Sequence, residues 1–205
     1  MKVIEVFADI WCPFAHVGLR CVVERRTELK REDAVLHVRS WPLELVNGAP
    51  LDPITTELHV QELRAQVAPD LFQRFDPKHF QTTTLPALAW VHAAYEMDKR
   101  RGEAVSLALR NALFEHGVDV SDPDALSDIV RAEGVNSFGA TDEQAVLADW
   151  REGTERGVKG SPHFFCGHAD AFCPSLDIFK DGTGHLEVQR NMNVLDTFLE
   201  SCFQG

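Results

Sequence analysis

Cys12 stands directly before a proline in the stretch DIWCPFAH, residues 9–16, where the first apolar run of the chain ends. The run itself, KVIEVFA, is rich in β-branched and aromatic residues and predicts a strand buried at the centre of a sheet. Pro13 predicts the first position of a helix reaching Leu29, because the missing N–H of proline costs nothing there. A cysteine at such a junction faces unpaired backbone N–H groups and the positive end of the helix dipole, both of which favour thiolate over thiol. Thiols so placed can ionise well below the free value of ~8.5, and the thiolate is the form that attacks disulfides and electrophiles. Cys12 is therefore the expected nucleophile. His16 lies four residues on, hence on the same helix face, and as an imidazolium would add to the effect.

The chain has five cysteines, at 12, 21, 166, 173 and 202. An odd number with no small-scaffold spacing predicts free thiols in a reducing compartment. Ala15 occupies the position where a Cys-x-x-Cys pair would have its second sulfur. Cys21 lies nine residues along the predicted helix, ~13 Å away at 1.5 Å per residue. That is beyond the Cα separation of about 7 Å that a disulfide tolerates. Cys173 is the candidate second redox cysteine, although a structural role is the favoured reading. If a hairpin turns over residues 167–170, Cys173 falls opposite Phe164, two strands and about 9–10 Å laterally from Cys12. Cys166 and Cys202 read as core residues. His163, Cys166, His168 and Cys173 are dense in metal-ligating atoms, but along a strand His163 points away from Cys166 and His168, so no metal site is expected.

The elements that must position Cys12 follow from the hydrophobic pattern. AVLHVRSWPLEL alternates from Val35 to Val38 and predicts a second strand, parallel to the first across the intervening helix. Helical signals then run for about a hundred residues. Leu58, Leu63 and Val67 mark one helix, and LPALAWVHAAYEMDKR a stronger one. Val105, Ala108, Leu109, Ala112 and Leu113 form a single apolar stripe. Asp122-Pro123 predicts a capped helix start, Thr141 with Gln144 a capping box, and Gly157 a left-handed helix end. Strand signals return as HFFC and DAFC around a tight turn, then as a hairpin at Asp181-Gly182. Leu195, Phe198, Leu199 and Cys202 predict a closing amphipathic helix. The order is that of an α/β domain, residues 1–48 and 157–205, carrying a helical domain over residues 49–156.

Composition narrows the function. With 205 residues and 44% hydrophobic content the chain can bury a full core. Its net charge of −12 argues against a nucleic-acid or anionic-membrane surface, which reward clustered Lys and Arg. MKVIEVFADIW lacks the apolar core and cleavage site of a signal peptide, and no apolar run approaches the ~20 residues that span a bilayer. A cytoplasmic location is expected.

FADIWCPFAH resembles the F-x-D-x-x-C-P-[WF] start of the DsbA-like branch of the thioredoxin superfamily, and GVKGSPHFF, residues 157–165, resembles that branch's G-V-x-G-x-P loop. WPLELVNGAPL is a fainter match to FrnE-like and kappa-class transferase relatives. The resemblance implies a thioredoxin-like fold with a large helical insertion, and a cis bond at Ser161-Pro162 facing Cys12. It implies a thiol–disulfide oxidoreductase or isomerase in which Pro13 and Phe14 tune Cys12 and Ser161 and Pro162 present the substrate. The departure is Ala15: an external thiol such as glutathione or mycothiol must resolve the mixed disulfide, acting as co-substrate with no tightly bound cofactor. Partners are then protein or small-molecule disulfides; relatives are often homodimers. An alternative is a thiol-dependent transferase or isomerase, like the kappa class and 2-hydroxychromene-2-carboxylate isomerase, with Asn47 and Ser161 contacting the bound thiol. A third is a non-catalytic module that binds peptides at the Pro162 edge.

Overall fold

The structure is a computed structural model, and it describes residues 1–80, 83–135, 143–182 and 184–204. The opening run forms β1 (Lys2–Ala8), and the alternating segment after the first helix forms β2 (Ala34–Ser40). Two short strands, β3 (His163–Cys166) and β4 (Ala169–Phe172), complete a sheet in the order β2-β1-β3-β4. β1 pairs in parallel with β2, from Lys2↔Ala34 to Ala8↔Ser40, and antiparallel with β3, where Phe7 faces His163. Its central place accounts for its near-continuous apolar run: Ile4, Val6, Phe7 and Ala8 are all fully buried because both faces are covered.

Successive residues of β3 show what covers each face. Phe164 meets Phe198 of α8 (Met192–Gln204), with ring centroids 6.0 Å apart. Phe165 points the other way and meets Phe7 at 5.8 Å. Phe7 packs in turn beside Gly153 of α7 (Glu143–Glu155). The helix α1 (Pro13–Glu28) shares the α8 face, where Arg25 grips the Asp196 carboxylate through Nε and Nη2 at 2.6 and 3.1 Å.

Between β2 and β3 the chain is helical: α2 (Leu43–Asn47), α3 (Pro53–Gln66), a short 3-10 turn (Pro77–His79), α4 (Leu85–Met97), α5 (Lys99–His116), α6 (Pro123–Ala132) and α7. The Asp122 carboxylate accepts from the N–H groups of Asp124 and Ala125, as the Asp-Pro pair predicts. Gly157 takes the left-handed conformation at φ 70°, ending the turn after α7. The proposed Thr141 cap lies outside the described residues. Two details differ from expectation. The α3 stripe runs through Thr56, Val60 and Leu63 to Val67, and Leu58 is exposed. LPALAWVHAAYEMDKR breaks at Asp98, whose extended backbone and carboxylate cap α5 instead. Among the described residues no helix is long and apolar enough to cross a membrane.

The C-terminal hairpins also differ. The first turns at Gly167-His168, so Ala171 rather than Cys173 faces Phe164. Cys173 is displaced to the strand end, where its N–H donates to the Pro162 carbonyl at 3.0 Å. The second hairpin, β5 (Leu176–Lys180) and β6 (Leu186–Arg190), is a separate two-stranded sheet. It leans on α3, where the Gln66 side-chain amide accepts from the Val188 N–H and donates to the Leu186 carbonyl.

Helices α4 and α5 close the open edge of the sheet. The outer edge of β2 would otherwise present unpaired backbone groups. The Tyr95 hydroxyl accepts from the Val38 N–H at 2.9 Å and donates to the Leu36 carbonyl at 3.0 Å. Glu103, held by both terminal nitrogens of Arg26, accepts from the Leu36 N–H at 2.6 Å. Gly102 makes the arrangement possible, since a Cβ there would fall 2.2 Å from the Tyr95 ring. Gly102→Ala should displace that ring, release both clasps on β2 and lower the unfolding free energy by roughly 1–3 kcal/mol, the usual cost of overpacking. Urea unfolding of the variant checks this; an unchanged midpoint would mean the edge is held by other contacts.

Candidate active site around Cys12

Cys12 caps α1. Its backbone is extended, and its sulfur accepts from the Ala15 N–H at 3.4 Å, one of the donors a helix start leaves unpaired. The thiol donates to the Ser161 carbonyl at 3.0 Å, and the Ser161-Pro162 bond is cis. The loop reaches this close because α1 carries Gly18 one turn further on: a Cβ there would sit 3.1 Å from Pro162 Cγ. The two sequence segments matched at Cys12 and Pro162 therefore meet in space.

Asp9 ties the surroundings together. Its N–H donates to Ser161 Oγ at 2.9 Å, and its fully buried carboxylate accepts from the N–H groups of Trp11 and Leu43. One residue thus ties together the end of β1, the approach to α1 and the start of α2 through its carboxylate, and the Ser161 loop through its backbone N–H. Burial pushes the Asp9 carboxyl up to about 6, against the pull of those N–H donors and of the Arg110 charge. Arg110 itself is buried, and loss of water draws its guanidinium down to about 10.

The expected lowering of the Cys12 pKa is overturned for the closed resting site. Only 4% of Cys12 is exposed, and loss of water pushes its thiol above the ordinary value. Hydrogen bonding from the Ser161 side chain and the Ala15 and Phe14 N–H groups pulls the other way without prevailing, and the Asp9 charge adds to the rise. His16 does not assist as expected. Its Nε2 is 2.6 Å from Glu115 of α5, and its ring lies between Phe72 and Phe114 at 5.3 and 5.0 Å. Burial draws the His16 pKa down, so near neutrality it is a neutral anchor to α5 rather than an imidazolium.

A cleft of about 360 Å³ opens beside the sulfur. Cys12, Pro13, Phe14 and Ser161 form one wall, and Leu43, Asn47 and residues of α3 the other. Asn47 lines the same cleft as Cys12. His59 of α3 was not anticipated from the sequence; it also lines the cleft, and its ring lies 5.3 Å from that of Phe14. Among the described residues that line the cleft there is no Lys or Arg, and Asp52 at the α3 start is the acidic one. Cys173 is buried at φ 48° with its thiol pushed up to about 12 by desolvation, an environment that favours a closed thiol. Cys21 lies away from the cleft, with Arg190 Nη1 donating to its sulfur at 3.2 Å. Sequence reasoning passed over Asp9 although it lies within the quoted motif; an acid three residues before a helix cap was the available signal.

A family model for the DSBA-like thioredoxin domain matches residues 3–181. No curated protein matches the chain. Among solved structures, one described as a protein disulfide isomerase from Nitrosomonas europaea superposes with a TM-score of 0.68 at 17% identity, covering 99% of this chain and 98% of that one. The cytosolic disulfide reductase DsbM from Pseudomonas aeruginosa, solved with GSH, gives 0.65 at 12% identity, covering 99% and 100%. 2-Hydroxychromene-2-carboxylate isomerase gives 0.62 at 13% identity, covering 83% and 88%. At these identities the likeness is one of fold.

Asp9 gives the site a pH signature. Between its ordinary 3.8 and about 6, the folded protein holds a proton that the unfolded chain has released. This contribution to stability is full at low pH and is lost as pH rises through about 6, a change on the order of 3 kcal/mol. The unfolding free energy of the wild type minus that of Asp9→Asn should therefore fall between about pH 4 and 6 and level off above about 7. A difference that is flat across that range contradicts the assignment.

Proposed function

The chain belongs to the DSBA-like thioredoxin domain family, and from that premise we propose that it reduces or isomerises disulfides in the cleft with Cys12 as the one sulfur that exchanges with the substrate there. Thiol–disulfide oxidoreductase or isomerase chemistry goes with the family. The single-cysteine route is supported by one observation: Cys12 borders the cleft beside Ser161 while alanine occupies position 15, so no second sulfur follows it within the first helical turn.

In the proposed cycle the Cys12 thiolate attacks a mixed disulfide R–S–S–G, where G–S is a low-molecular-weight thiol. It attacks the sulfur that carries G: a Cys12–S–S–G bond forms, the S–S bond of the substrate breaks, and R–S leaves as a thiolate that takes a proton. A molecule of G–SH, as thiolate, then attacks the sulfur of the bound G–S group. G–S–S–G is released and Cys12 returns as a thiolate. The net reaction, R–S–S–G with G–SH giving R–SH and G–S–S–G, consumes one small thiol per turnover, and the enzyme ends unchanged. The N–H groups of Ala15 and Phe14 and the Ser161 hydroxyl are the donors that support the sulfur anion when it forms. Docking of a substrate disulfide against Ser161 would take over its carbonyl and free the thiol from the bond that now holds its proton. A lone cysteine suits reduction of mixed disulfides, or isomerisation, better than net oxidation.

Glutathione and mycothiol both remain candidates for G–SH. DsbM solved with GSH supports the first. The cleft lining supports the second, since hydroxyl and amide groups are prominent in its polar part and, among the described residues, no Lys or Arg there would pair with carboxylates. In this reading the protein works in the cytoplasm, where such thiols are abundant.

The transferase or isomerase reading is kept by a separate observation: Asn47 and Ser161 flank Cys12 in the same cleft, as contacts to a bound thiol would. One experiment separates the two. With a glutathione mixed disulfide as substrate and reduced glutathione in excess, the wild type should turn over and Cys12→Ser should fall to background. The wild-type rate should climb with pH and show no plateau below about 9, because burial holds the thiol neutral. Retained activity of Cys12→Ser on a small electrophile, with no disulfide turnover by the wild type, would establish the second reading. No turnover of either kind would leave only the peptide-binding module.

A further inference from the structure

Cys166 and Cys202, which the cycle above does not use, are set against each other by the geometry of two elements. Phe164 of β3 packs on Phe198 of α8. Two residues along a strand return to the same face, which places Cys166 beside Phe164. Four residues along a helix also return to the same face, which places Cys202 beside Phe198. The two advances are nearly equal, about 6.6 Å along the strand and about 6 Å along the helix. The phenylalanine contact is therefore repeated one step on by a contact between sulfurs. The Cys202 thiol lies near enough to the Cys166 sulfur to interact with it, and the Cys166 thiol donates to the Val3 carbonyl at 3.7 Å. Both cysteines border one surface cleft, together with Lys2, Gly167, His168 and Ser201. Cys166 is the more open of the two, at 8% exposure against 1%.

We propose that Cys166 and Cys202 form a second thiol–disulfide site, oxidised reversibly by low-molecular-weight disulfides and independent of Cys12. The Cys166 thiolate attacks a small disulfide G–S–S–G, forming Cys166–S–S–G and releasing one G–SH. The Cys202 thiolate then attacks the Cys166 sulfur, forming the Cys166–Cys202 bond and releasing the second G–SH. The protein gives up two electrons and two protons, and the small disulfide takes both. The reverse steps with excess thiol restore the pair. Pro162, which meets the Cys12 helix, precedes Cys166 by four residues, ~13 Å along the strand, so this pair does not substitute for the missing partner of Cys12. It covalently ties the closing helix α8 to the sheet.

The test uses the full chain and oxidised glutathione as probe. After exposure, rapid alkylation under denaturing conditions and peptide mass mapping should show a cross-linked Cys166–Cys202 peptide pair, with both sites lost to the alkylating reagent. Reduced glutathione in excess should restore both. Cys12→Ser should form the cross-link as readily as the wild type, so the result does not depend on whether Cys12 has the activity proposed above. Cys202→Ala should stop at a glutathione adduct on Cys166. The proposal is overturned if wild-type Cys166 and Cys202 both remain alkylatable in excess oxidised glutathione, or if the cross-link is lost in Cys12→Ser.

Discussion

The site depends on one opposition, between the loss of water around the Cys12 sulfur and the donors gathered to hold its charge. The helix start supplies backbone N–H groups, and the loop at residue 161 supplies a hydroxyl on one atom and a proton acceptor on another. With the cleft as it stands, desolvation wins and the sulfur keeps its proton, shared with the Ser161 carbonyl. The same donors favour the anion once that carbonyl is engaged elsewhere. In the proposed cycle the thiol is quiet at rest and supported during exchange.

That balance requires several distant segments to converge within hydrogen-bonding distance, and the molecule achieves it with few groups. Asp9 holds the end of β1, the start of α2 and the Ser161 loop in one cluster. Gly18 lets the loop lie against the helix. His16 and Glu115 pin the first turns of α1 to α5, while Tyr95 and Glu103 anchor α4 and α5 to the outer edge of the sheet. The helical segment thus both closes the sheet and builds the far wall of the cleft, where α2 and α3 face Cys12.

Much of this was legible in the sequence where local rules decide. The buried run of β1, the Pro13 helix start, the Asp122 cap, the Gly157 helix end and the α8 stripe all follow from period, capping or backbone restriction. Cys12 was legible as a helix-cap sulfur, but its ionisation was not. The dipole and N–H groups are local, whereas burial comes from the loop at 161 and the helices of the middle segment. His16 fails for the same reason: helix spacing places it on the Cys12 face, while Glu115, 99 residues away, decides what it does. The hairpin loop after Cys166 was read two residues too long, which set Cys173 opposite Phe164 when it lies opposite Pro162. Cys166 and Cys202 were read as core, and their mutual contact required knowing which face of β3 meets α8.

The central claim is that a single sulfur, Cys12, carries the exchange and cannot release its own product. It is tested most directly by exposing the protein to oxidised glutathione, quenching with acid and locating glutathione by peptide mass. The account predicts an adduct at Cys12 that persists until a thiol is added. Glutathione absent from Cys12, or a disulfide joining Cys12 to another cysteine of the chain, would contradict it.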